Sequence, residues 1–448
     1  DESVRQGMEN LKPDSCYDSL FLAADSRNKA DWILGINASY AMCKATGLGN
    51  NSLGRVQTPI LAAISRRYRE RENHISSDSW PIYISLQKDG ILFKMRRTQD
   101  LPDKESATMF FQDCKLSHQA QITGISHSVK EILPPDLLDL TQLQKEANIR
   151  YGYTASEVYD IAQSLYEKKL ISYPRTSSRY LTEDVFDSLS PIMARLLSWE
   201  LFPAAKGTGG IDISSLSRHV INAEKANVHH AIIITGIRPG NMSEKEMQVY
   251  RLVAGRMLEV FMAPCRIETT NVEAVCAAQH FKAEQTRIIE AGWHDVFMHS
   301  DMIPASGYSV KELPEVEKGD TLNVCGCNLI HKKQLPVNPF TDAELVEYME
   351  LNGLGTVSSR TNIIRTLVNR KYIRYSGKYI VPTPKGMFTY ETIRGKKIAD
   401  TSLTADWEKQ LAGLESGMIT GQDFLNRIRN LAKEMTDDIF NTYSTKEE

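Results

Sequence analysis

With 448 residues the chain is long enough for roughly three domains of ordinary size. Its 53 Lys and Arg against 56 Asp and Glu leave a net charge of -3, which excludes a histone-like or tail-driven grip on nucleic acid and makes any phosphate-binding surface local. The 42% hydrophobic and 24% charged content excludes wholesale disorder. No window approaches about 18 uninterrupted apolar residues, and the opening Asp1-Glu2-Ser3 does not read as a signal peptide.

In chain order, Lys29 to about Ala45 carries apolar residues at helical spacing (Trp32, Ile33, Ile36, Ala41) and predicts a buried helix. Turn residues Gly47, Gly49, Asn50, Asn51 and Gly54 follow, and Val56 to Glu72 predicts a second helix ending in the mixed-sign tract Arg66 to Glu72, a solvated face. From Trp80 the period becomes that of a strand, with Ile82, Ile84 and Leu86 alternating, and the same texture returns between about Ile267 and Ile330. Two β-rich stretches thus bracket a helical insert with helices over Thr141 to Arg150 and Ser156 to Lys168, the second opened by the capping-box spacing of Thr154 and Glu157. Beyond Asn338 the chain is helical again, over Ala343 to Leu351, Ser359 to Arg370 and Trp407 to Ile428. The cysteines (16, 43, 114, 265, 276, 325 and 327) form no C-x-x-C pair and read as small buried side chains in a reducing compartment.

Four constellations could carry chemistry. Between Arg360 and Lys397 stand ten cations against the single acid Glu391, in a pattern of helix, Gly353-Leu354-Gly355 turn, helix and small hairpin. This is a helix-turn-helix with a wing, read as a nucleic-acid surface, or else as a solvated basic face. Second, Tyr173-Pro174-Arg175 lies in a connector between two helices, where Pro174 favours an extended Tyr173 and Arg175 supplies a cation for a phenolate or a phosphate; the plainer reading is a packed turn. Third, His229-His230 precedes an apolar run; neighbours in an extended chain point to opposite faces, so a shared metal is disfavoured against one buried and one exposed histidine. Fourth, Ser52-Leu53-Gly54-Arg55-Val56-Gln57 is a glycine loop opening a helix, suited to a phosphate backbone. No P-loop and no D-x-D pair occurs, so neither nucleotide hydrolysis nor a carboxylate metal site is evident in the sequence.

Taken in order, the segments Ala30 to Asn37, Ser52 to Pro59, Leu138 to Leu143, Ile161 to Glu167, Ser172 to Thr176, His229 to Ile233 and Gly353 to Thr356 resemble the type IA DNA topoisomerases, most closely the topoisomerase III branch. The resemblance implies that Tyr173 attacks one DNA strand and holds its 5′-phosphate. It gives Arg175 the scissile phosphate and His229 the hydrogen-bond network around it. It places Trp32, Tyr40, Ser52, Gly54, Arg55, Val56, Gln57, Ser359 and Arg360 on the DNA. It implies a multidomain α+β torus in which residues 1–75 and 336–448 form the strand-binding base, 76–133 and 264–335 a β-rich arch, and 134–263 the helical tyrosine domain.

The family's N-terminal Toprim domain, which holds Mg²⁺ through a glutamate and a D-x-D pair, has no match here. The resemblance therefore implies a fragment that binds no metal itself and does not cleave DNA unaided, from a parent that uses Mg²⁺. Its partners would be single-stranded or underwound duplex DNA and a helicase, in the cytoplasm at the nucleoid and away from membranes. Departures are Tyr40 for a usual arginine, Ser177 for an acid, and Ile234 and Val357 for prolines. The alternative is a non-catalytic winged-helix DNA-binding protein. A metal-dependent hydrolase built on His229 and His230 is a third reading.

Overall fold

The structure is a computed structural model describing residues 2–47, 49, 51–199, 201–202, 216–226, 228–297, 310 and 312–444. Asn50, noted among the turn residues, lies outside the described residues. In chain order the helices are α1 (Glu2–Glu9), α2 (Asp18–Thr46), α3 (Gln57–Glu72), α4 (Lys104–Leu116), α5 (Leu140–Tyr151), α6 (Ala155–Glu167), α7 (Glu183–Asp187), α8 (Leu189–Ser198), α9 (Glu244–Glu259), α10 (Asp342–Leu351), α11 (Val357–Asn369), α12 (Pro384–Ile393), α13 (Ser402–Glu415) and α14 (Gly421–Ser444). The strands are β1 (Asp78–Ser79), β2 (Ile82–Lys88), β3 (Ile91–Arg97), β4 (Gln119–Ile132), β5 (Cys265–Cys276), β6 (Gln279–Glu290), β7 (Thr321–Leu329), β8 (Lys332–Lys333), β9 (Phe340–Thr341), β10 (Ile373–Ser376) and β11 (Tyr379–Pro382).

The chain forms two compact units: residues 1–72, 140–160 and 337–448, and residues 73–139 and 161–336. One boundary between them falls within α6.

In the first unit, α2 turns Ala30, Leu34, Ala38, Ala41 and Met42 onto Trp407, Leu411 and Leu414 of α13 and Phe424, Ile428 and Ala432 of α14. The expected continuous segment from Trp407 to Ile428 is two helices, because Gly417 takes a left-handed φ of 71° and ends α13. A second core joins Ile60, Leu61 and Ile64 of α3 to Leu345 and Met349 of α10, Ile364 and Leu367 of α11, and Tyr372 and Ile380 of the wing. Here α10 starts at a capping box in which Glu344 N donates to Thr341 Oγ1 (3.3 Å) and Thr341 N donates to Glu344 Oε2 (2.8 Å). The turn Asn352 to Thr356, α11 and the β10–β11 hairpin complete a helix-turn-helix with a wing, extended by β9 into a three-stranded sheet.

In the second unit the two strand-patterned stretches close into one antiparallel barrel of order β2-β3-β6-β5-β4-β7. Ile82, Ile84, Leu86, Phe93, Met95, Ile122, Val272 and Phe281 fill it. The β4–β5 register runs from Gln121 opposite Val275 to Ile132 opposite Cys265, so the insert leaves and re-enters the barrel at paired positions. Cys114, Cys265 and Cys276 are buried, but Cys16 and Cys325 are exposed, against the expectation that all would be interior.

Within the same unit, Ala162 and Leu165 of α6, Met193 of α8, and Val253 and Met257 of α9 are buried, as are Ala231 to Ile234.

Candidate active-site tyrosine and strand groove

The tyrosine segment owes its course to the end of α6. Lys169 adopts a left-handed φ of 60°. Leu170 N donates to Leu165 O (2.9 Å) and Lys169 N to Tyr166 O (2.8 Å), the paired bonds of a Schellman stop that reverses the chain. The reversed segment then pairs with the histidine segment. Ser172 N donates to Ile233 O (2.8 Å), Ser172 Oγ to Ala231 O (3.1 Å), and Thr176 Oγ1 to His229 O (3.1 Å). These bonds bring Tyr173 and His229 together from positions far apart in sequence.

The Tyr173 ring lies 4.6 Å from the His229 ring, centroid to centroid, and on the other hand meets the edge of Tyr166 at 5.4 Å. It is half-buried, while His229 is exposed. Arg175 is half-buried too, and its Nη2 donates to Gln163 Oε1 at 3.2 Å. Gln163 Nε2 donates in turn to Glu167 Oε1 at 2.8 Å. Gln163, Tyr166 and Glu167 are spaced three and four apart on α6, so one helix face carries all three. Sequence reasoning quoted this segment without giving the residues roles. The signal was a Gln and an acid at i, i+4 beside the tyrosine connector. His230 turns away from its neighbour, with Nδ1 against Ala231 O at 2.7 Å. Among the described residues no group of three or more His, Cys, Asp or Glu is arranged to hold a metal ion.

In the first unit, α2 presents Trp32, Ile36 and Tyr40, exposed by 66%, 50% and 60%, at four-residue spacing on the face opposite its buried alanines. Ile36 and Tyr40 line a groove of about 690 Å³ with Ser39, Cys43, Asn51, Ser52, Asn369, Arg370, Lys371 and Lys385. No acid lines it. Burial, with Arg370 and Lys371 close by, pushes the Lys385 ammonium below its usual range. Arg370 Nη1 donates to Ser52 Oγ (2.7 Å) and Gln57 Oε1 (2.9 Å), so the loop and the end of α11 form one rim.

The other residues drawn from the sequence sit differently. Arg55 is 7% exposed, with Nε on Asp31 Oδ1 and Nη1 on Glu408 Oε1, both 2.9 Å, and its guanidinium stacked over Trp407 at 4.9 Å. Arg360 is also buried, donating to Thr141 Oγ1 at 2.9 Å and reaching Glu350 at 3.5 Å. Val56 packs on the α3 and α10 core, and Gly54 N donates to Thr58 Oγ1 at 2.9 Å as α3 begins. Ser359 Oγ is turned back to Thr356 O at 3.1 Å. The basic block is likewise not one face. Arg365 pairs with Asp160, Arg394 with Glu391, Lys396 with Asp438 and Lys397 with Glu434.

A sequence profile of the DNA topoisomerase family matches residues 15–426, and the chain belongs to that family, to its type IA class on the topoisomerase 3-like side. It is 31% identical to DNA topoisomerase 3 of Bacillus licheniformis over 464 aligned positions, covering 98% of this chain and 63% of the relative. Against DNA topoisomerase 3 of Bacillus subtilis the identity is 30%, over 99% of this chain and 64% of the relative. The chain thus spans less than two thirds of the length of these curated relatives. The fold is similar to that of full-length topoisomerase I from Thermotoga maritima, with a TM-score of 0.72 at 22% identity over 98% of this chain and 71% of that one.

Proposed function

We propose that this chain is the strand-binding and strand-cutting part of a type IA DNA topoisomerase, with Tyr173 as its nucleophile. The observation that carries the reading is the Tyr173 phenol held between His229 and Tyr166, open to solvent on part of its surface, with the Arg175 guanidinium two residues along the same segment.

In this reading the Tyr173 oxygen attacks a phosphodiester of a single strand. A bond from phosphorus to the phenol oxygen forms, the bond from phosphorus to the 3′-oxygen breaks, the phenol gives up its proton and the 3′-hydroxyl takes one up. The 5′-phosphate stays on Tyr173. Arg175 neutralises charge on the phosphate, and His229 donates to its oxygens. The reverse attack by the 3′-hydroxyl restores the strand, and since one ester replaces another no ATP is needed. Between the two steps a second strand passes through the gap as the β-barrel arch of a torus swings away.

Affinity for the strand is assigned to the groove of the first unit, where Ile36 and Tyr40, with Trp32 on the same face of α2 beyond it, offer faces for bases and Arg370, Lys371 and Lys385 meet phosphates. Gln57 and Ser52 line the strand path through Arg370. Mg²⁺ belongs in this reading to a Toprim domain carried by the rest of the protein, and the whole works in the cytoplasm on single-stranded or underwound DNA, beside a helicase.

The test is covalent trapping. The complete gene product is mixed with end-labelled single-stranded DNA and Mg²⁺ and denatured, and a protein–DNA adduct is expected. A Tyr173→Phe variant that still forms the adduct would remove Tyr173 as nucleophile.

A further inference from the structure

Arg175 is oriented by a two-residue relay whose polarity is fixed by chemistry. The Glu167 carboxylate only accepts hydrogen bonds, so the Gln163 atom facing it at 2.8 Å must be the amide nitrogen. The Arg175 guanidinium only donates, so the atom it meets at 3.2 Å must be the Gln163 oxygen. The amide cannot flip without breaking both bonds, and the donor–acceptor assignment that is usually ambiguous for glutamine is settled by its two partners.

The neutrality of the intermediary matters. A carboxylate touching Arg175 directly would form an ion pair and compete with a phosphate for the same donors. Through Gln163 the acid of α6 holds the guanidinium by way of a neutral amide rather than by pairing with it itself. We infer that Gln163, itself oriented by Glu167, is the positioning residue that aims Arg175 at the substrate phosphate. This rests on the assignment of Tyr173 and Arg175 above.

The experiment compares adduct formation and single-strand binding in the complete gene product for Gln163→Leu, Gln163→Glu and Glu167→Gln. Gln163→Leu is expected to slow adduct formation by about tenfold or more while strand affinity changes less, since misplacing a reacting-centre group costs rate before binding. Gln163→Glu is expected to pair with Arg175 and to lower the slope of log affinity against log salt by about 0.7, the loss of one phosphate contact to a single strand. A residue that only supported the helix would leave that slope unchanged. Glu167→Gln keeps an oxygen to accept from Gln163 and is expected to retain adduct formation within about threefold of the parent. If Gln163→Leu forms adduct at the parental rate, or Gln163→Glu leaves the slope as it was, the relay is overturned. An adduct surviving Tyr173→Phe would instead overturn the nucleophile, so the two failures are separable.

Discussion

The Tyr372 hydroxyl grips Ser52 by its backbone, accepting from Ser52 N at 2.6 Å and donating to Ser52 O at 3.0 Å. Tyr372 is fully buried and lies 320 residues from its partner in sequence, so the start of the wing fixes the loop that borders the groove. Tyr372→Phe strands the Ser52 amide, and a buried donor without a partner costs about 1–3 kcal/mol. Denaturant unfolding should show a loss of that size, and fluorescence anisotropy should show weaker single-strand binding as the loop loosens.

The cations that matter for binding are set by the structure rather than by their density in sequence. Arg370→Ala and Lys371→Ala should each weaken single-strand affinity and lower its salt slope by about 0.7. Arg360→Ala should act on stability instead, because its side chain is buried between Thr141 and Glu350. Salt titrations of the three variants, paired with unfolding curves, separate the two effects.

Asp342 gives a pH signature. Its carboxyl is 2% exposed, and burial pushes it up to about 6 despite hydrogen bonds from Ala155 N and Tyr375 Oη. Because the folded form holds its proton more tightly than the unfolded chain, whose Asp titrates near 4, the native state binds more protons between about pH 4 and 6. Stability from this group therefore falls as pH rises through that window, by roughly 3 kcal/mol, and is level above it. Asp342→Asn keeps an acceptor for Ala155 N and removes the ionisation. The stability difference between variant and parent should shift in the variant's favour from pH 4 to 6.5. A flat difference would show that Asp342 ionises as freely in the folded protein as in the unfolded one.

Gly386 has no room for a side chain. A Cβ there would stand 2.0 Å from Tyr372 O, a backbone atom that already accepts from Thr383 N at 2.9 Å. Gly386→Ala should destabilise the first unit by at least about 2 kcal/mol, through a shift of α12. Thermal unfolding reads it.

Lys169 offers the opposite case. Its left-handed φ of 60° costs a lysine roughly 1 kcal/mol that glycine does not incur, so Lys169→Gly should raise stability by about that amount. Lys371, at φ 61°, closes α11 by the same pair of bonds, Tyr372 N to Leu367 O and Lys371 N to Val368 O, both 2.9 Å. No glycine marks either stop, which is why the sequence showed where these helices ended only approximately.

Local signals in the sequence were read well where their causes are local. The Thr154 and Glu157 capping box forms, with Glu157 N donating to Thr154 Oγ1 at 3.2 Å, and the alternation after Trp80 becomes β2. Charge was misleading because its partners are remote. Arg55 is enclosed by Asp31 and by Glu408, 353 residues away, and neither partner shows in its own segment. The basic block looked like one surface because the acids that pair with it, Asp160, Glu434 and Asp438, lie in other segments. Gln163 was passed over because its meaning depends on Arg175 returning to α6, which only the chain reversal at Lys169 produces.

The paired ends of the helical insert bear on how the barrel assembles. With Ile132 opposite Cys265, β4 and β5 are the arms of a hairpin whose connection holds on the order of 130 residues, and closing it costs about 3 kcal/mol more in chain entropy than a four-residue turn. The Leu138–Ile232 bridge inside the insert short-circuits most of that length, lowering the excess to about 2 kcal/mol. The insert thus acts as a tether for the barrel around it, and the two halves of the barrel find each other through the segment that holds Tyr173.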